Sequence, residues 1–107
     1  MWRSKGEGRF VKQTCCPGHF GHVILMVEPA ESDIPFQVCW EVAEFQIPQI
    51  FAGAVTEGLM QALAEARWPV ALRVHIVGGG YHPVDSLPAD YREAARRAMH
   101  QALEAGG

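Results

Sequence analysis

At 107 residues, 49% apolar and 20% charged, the chain has the makeup of one folded domain and not of a disordered segment. A net charge of −3 excludes a global attraction for phosphate backbones, so any nucleic-acid contact needs a local patch. The longest apolar run, Val23 to Val27, is too short to span a bilayer, and three cysteines with no secretory segment ahead of them point to the reducing cytoplasm.

In chain order, residues 1–8 are polar and glycine-containing and read as a flexible N-terminal segment ahead of a domain over 9–107. Phe10 to Gln13 is a short strand. Val23 to Glu28 is a clearer one, rich in branched residues and stopped by Pro29. The stretch EPAESDIP is a loop, and Phe36 to Val42 is a third strand with Phe36, Val38 and Trp40 on one face. From Ile47 the period changes. Ile47, Ile50, Phe51, Ala54, Val55, Leu59, Ala62, Leu63 and Ala66 make one apolar helical stripe, with Pro48 in its first turn and Trp68-Pro69 at its end. Gly53 and Gly58 inside that helix each cost roughly 1 kcal/mol relative to alanine, so packing must hold it.

Val70 to Val77 is a fourth strand, with Leu72, Val74 and Ile76 facing inward and Arg73 and His75 facing out. GGGYHPVDS then forms a loop, and Asp85 or Ser86 caps a second helix with Pro88 in its first turn. Tyr91, Ala94, Ala95, Ala98, Met99, Ala102 and Leu103 form its buried stripe. The order predicts an α+β fold, a two-layer sandwich with both helices on one sheet face.

Few stretches carry chemistry. TCCPGHFGHV holds four zinc-ligand residues, Cys15, Cys16, His19 and His22, but adjacent cysteines diverge in extended backbone and no second ligand pair follows. The reading is a loop, with no metal. His82, Asp85 and Ser86 lie close together without the strand–GxSxG–helix elbow of a hydrolase, so no catalytic group is assigned. Gly78-Gly79-Gly80 lacks the spacing of a phosphate loop, which leaves no nucleotide-binding motif and no cofactor. Arg3, Lys5, Arg9 and Lys12 crowd the N-terminus. Arg92, Arg96 and Arg97 lie on the second helix, where Glu93 pairs with Arg97 at i, i+4.

Taken together, RFVKQT…GHFGHVILMVEP, IPQIFAGAVTEGLMQAL and VALRVHIVGGGYHPVDS, followed by an alanine-rich helix, resemble domain IV of bacterial elongation factor G over about residues 8–105. The resemblance implies a four-stranded sheet with two helices on one face and a left-handed β-α-β crossover. It also implies a non-enzymatic translation-factor module that reaches the ribosomal small subunit or structured RNA through a loop tip. The positions matching that tip or flanking it are Lys12, His19, Phe20, His22, Tyr81, His82, Asp85 and Ser86. Cys15-Cys16-Pro17 stands where the family has Gly-Gly-Arg, and Leu87-Pro88 stands where it has a serine and an acid. The chain carries no P-loop or switch region of the factor, so the reading is a stand-alone domain without GTPase activity. The alternative is a protein-interaction module, a possible homo-oligomer, that assembles through the sheet face or through Trp2, Trp40 and Trp68.

Overall fold

The computed structural model describes residues 3–12, 18–31, 36–68 and 71–106. Strands β1 (Ser4–Lys12), β2 (His19–Pro29), β3 (Phe36–Trp40) and β4 (Leu72–Gly80) form one sheet in the order β1-β2-β4-β3. β2 runs antiparallel to β1 and β4, while β3 and β4 are parallel and are joined through helix α1 (Ala52–Ala66). Helix α2 (Pro88–Gly106) follows β4, lies across β1 and β2, and packs against α1. The expected α+β architecture holds.

Between the helices and the sheet sits one core. β2 and β4 contribute Val23, Leu25, Val27, Leu72, Val74 and Ile76, and α1 contributes Val55, Leu59 and Ala62. Every residue of the stripe expected on α2 is buried. The segment ahead of α1 departs from expectation. Gln49–Phe51 is a 3₁₀ turn, and Ile50 is 83% exposed, so it drops out of the predicted stripe while Ile47 and Phe51 stay buried. Neighbouring residues of a helical turn point about 100–120° apart, so with Phe51 turned into the core Ile50 points to solvent. At the other end α1 closes on Arg67, which adopts a left-handed conformation and returns its N–H to Leu63 and Ala64.

Over residues 4–8 the reading of a flexible N-terminal segment is corrected. Residues 4–8 form the first half of β1, with Ser4, Gly6 and Gly8 buried and Lys5 and Glu7 exposed. These small residues face one i, i+4 ridge of α2. A Cβ added at Gly8 would lie 1.9 Å from the Ala94 carbonyl oxygen, and one at Gly6 would lie 2.0 Å from that of Ala98. Ser4 Oγ donates to the Ala102 carbonyl at 2.6 Å, and on β2 a Cβ at Gly21 would lie 2.4 Å from the Asp90 carbonyl oxygen. Asp90, Ala94, Ala98 and Ala102 thus rest on Gly21, Gly8, Gly6 and Ser4, and backbone meets backbone along the helix. Gly58 makes the same kind of approach between the helices, 2.2 Å from the Arg92 carbonyl oxygen for an added Cβ.

Gly78-Gly79-Gly80 is also corrected, from loop to strand. All three belong to β4, whose register with β2 shifts between Ile24 and Leu25 and leaves Val77 over. The extra residue inverts the alternation beyond it. Gly79 consequently faces the helix layer, where a Cβ would come within 2.6 Å of Ile47 Cδ1.

Glu65 and Arg96 (2.8 Å) with His100 (2.7 Å) clamp α1 to α2. The hydrogen bond from His100, then that from Arg96, holds the Glu65 carboxyl below its ordinary 4.5. A lowered carboxyl adds stability that is complete above about pH 4.5 and fades as pH falls through its folded value. The difference in urea midpoint between the native chain and Glu65→Gln is therefore expected at neutral pH and should shrink on acidification. A difference that grows with acid would contradict the assignment.

Candidate functional site

The carboxyl end of β4, the end of the β1–β2 pair at which Lys12 faces His19, and the segment before α1 meet at one end of the domain, whose extents are 44 × 24 × 18 Å. Lys12 pairs with His19 across the sheet, and His22 pairs with Gly80. Residues 81–87 fold back over this end.

Asp90 ties it together. The side chain is 1% exposed, yet it meets three groups from two segments. Its Oδ2 accepts from the N–H of Leu87 at 3.0 Å and of Phe20 at 3.3 Å, and its Oδ1 lies 2.9 Å from His19 Nδ1. This corrects the expected cap: the start of α2 is held from inside by the acid at its third position, reaching back as in a capping box. Asp85 and Ser86 serve the loop. Ser86 Oγ donates to the Phe20 carbonyl at 2.9 Å and accepts from the His82 N–H at 2.9 Å, while the Asp85 carbonyl takes the Phe20 N–H at 3.3 Å. The Ser86 hydroxyl is thus committed to the backbone, donating to β2 and accepting from the loop.

Of the expected positions, His19, Phe20, His82, Asp85 and Ser86 come together here, with the Phe20 and His82 rings 6.2 Å apart. Tyr81 turns to the α1 side, its ring 6.0 Å from Phe51. Lys12 is exposed and stands over the Phe10 ring at 5.6 Å, on which Arg97 also stacks at 5.1 Å. His22 lies on the opposite face of β2 from His19, its Nε2 2.6 Å from Glu7. Two histidines on opposite faces of a strand do not converge on one ion. Cys15 and Cys16 lie outside the described residues.

Sequence reasoning missed Asp90 and Tyr91 as site residues. The signal for Asp90 was Pro88 at the first helical position with an acid two residues on. Tyr91 was read only as core, but its hydroxyl donates to the Gly80 carbonyl at 2.6 Å and anchors the strand end beneath the loop. Burial pushes the Tyr91 phenol up, which keeps it a donor.

The open sheet face carries a second polar cluster. Glu28 accepts from Arg3 at 3.0 Å and Arg73 at 3.3 Å, and His75 lies between Glu28 (3.1 Å) and Glu41 (2.6 Å). The Glu28 carboxyl is held down to about 2, chiefly by His75 and then by Arg3, and His75 is raised, chiefly by Glu41.

Among the described residues, no helix is long and apolar enough to cross a membrane. The family model "Elongation factor G, domain IV" matches residues 1–107. Elongation factor G of Fervidobacterium nodosum is 31% identical over 106 residues, covering 95% of this chain and 15% of the relative. A crystal structure from Thermus thermophilus superposes with a TM-score of 0.89 at 26% identity, over 99% of this chain and 16% of that one. The chain therefore spans about 15% of the length of the curated relative it matches. With the fold and the whole-length family match in agreement, the chain belongs to the elongation factor G domain IV family.

Proposed function

We propose that this domain binds the ribosomal small subunit, or RNA structured like it, through the end built from Lys12, His19–Phe20 and residues 81–87. The observation that carries this reading is the rigid tie between the two segments: Asp90 and Ser86 lock the β2 start to the 81–87 loop. A recognition surface held by a rigid scaffold loses little entropy on binding. Its exposed groups suit RNA, since His82 and Tyr81 offer rings for unstacked bases and Lys12 offers a charge for phosphate. The module acts by binding, without a catalytic group of its own.

Sedimentation with purified small subunits tests this. Co-sedimentation is expected at low salt, weakening as salt rises and weakening further in Lys12→Ala and His82→Ala. Protein that stays at the top of the gradient at low salt would sink the reading.

One observation favours a second reading, a protein-interaction module. Phe45, Ile50 and Val84 are 81%, 83% and 76% exposed. Binding that ignores salt but is lost in Phe45→Ser would favour it over RNA. Of the tryptophans named for assembly, Trp40 and Trp68 are half-buried against the core, and Trp2 lies outside the described residues.

A further inference from the structure

The open face of the sheet gathers a donor set with no counterpart among the described residues of the loop end. Cys39 pairs with His75 across the parallel β3–β4 ladder, and Glu41 follows two residues after Cys39. The cysteine sulfur, an imidazole nitrogen of His75 and a carboxylate oxygen of Glu41 all lie within 4.8 Å of one another. One thiol, one imidazole and one carboxylate at a single point match the ligand types of zinc, whereas calcium and magnesium call for oxygen alone.

The surroundings fit a ligating histidine. His75 Nδ1 faces Glu41, and its Nε2 faces Glu28 Oε1 at 3.1 Å. Glu28 is itself gripped by Arg3 and Arg73. An ion taken up at Nδ1 leaves the Nε2–H to donate to Glu28, the carboxylate–histidine–metal relay that fixes ring and tautomer. Tetrahedral zinc, with bonds of about 2.0–2.3 Å, sets its donors about 3.3–3.7 Å apart, so the side chains need shift only by roughly 1 Å. Cys39 and His75 are half-buried and Glu41 is exposed beside a cavity of about 310 Å³ lined by Arg3, Met26 and Val77. That opening leaves room for water as the fourth ligand.

We propose that Cys39, His75 and Glu41 bind one zinc-class divalent cation on the open sheet face, with Glu28 as the residue that positions the histidine ring.

Titrating the full reduced chain with cobalt(II) and then zinc tests the site. One equivalent of cobalt should produce a thiolate-to-cobalt charge-transfer band that zinc displaces. Cys39→Ser should abolish the band, and a Cys15→Ser/Cys16→Ser double variant should keep it. Glu41→Gln, an exposed change that spares the core, should weaken binding, and Glu28→Gln should weaken it on the order of ten-fold. No band in the native chain, a band retained in Cys39→Ser, or a band lost in the Cys15/Cys16 double variant would each overturn the proposal.

Discussion

Gly8→Ala is expected to destabilise the domain by about 3 kcal/mol, since a Cβ there makes the closest contact of any described glycine. The new Cβ would lie 1.9 Å from the Ala94 carbonyl oxygen and 2.6 Å from the Ala98 nitrogen, and both are backbone atoms. No rotamer change relieves a backbone contact, so α2 must lift from β1 and open the core beneath it. Gly53→Ala supplies the control. An added Cβ there meets nothing within 4 Å, and its backbone is helical, so the change should stabilise by about 0.5–1 kcal/mol. Urea unfolding of the two variants should therefore move the midpoint in opposite directions. Equal shifts would mean that the close approach of Ala94 at Gly8 relaxes at no cost and that contact distance does not separate the two positions.

Asp90→Ala is expected to cost about 2–3 kcal/mol and to loosen the loop end. The change leaves the Leu87 and Phe20 amides and His19 without their shared partner, in a place where water reaches poorly. It also removes the group that holds the first turn of α2. Amide exchange should rise at Phe20 and Leu87 ahead of the core, which separates a local loosening from global unfolding. Asp90→Asn keeps one acceptor oxygen and should recover part of the loss. Unchanged protection at both amides in Asp90→Ala would show that the loop end is held without Asp90, by Ser86, Tyr91 and the Asp85 carbonyl.

Periodicity made α2 readable residue by residue. Its alanines, Tyr91 and Met99 recur at helical spacing against a charged opposite face, and all seven stripe residues are buried. The same method misread SKGEG, because hydrophobic pattern is blind to burial that works by absence. Glycine and serine carry little apolar surface, so the alternation of small and charged residues at 4–9 looked like a linker. Seen from α2, those residues are the groove for its alanine ridge. The loop end was partly legible in the same way. His19, Phe20, His82, Asp85 and Ser86 do assemble, but the acid that joins them was hidden in the helix.

The kinds of element, their order and the apolar faces of both helices are written locally, in residue spacing, and so were available from the chain alone. The left-over residue at Val77, which turns Gly79 toward the helices, is set by pairing with β2 and has no local signature. Likewise, Cys39 meets His75 because β3 and β4 run parallel in register. How closely two backbones approach, and which distant side chains become neighbours, depends on long-range packing. Local periodicity carries no information about it.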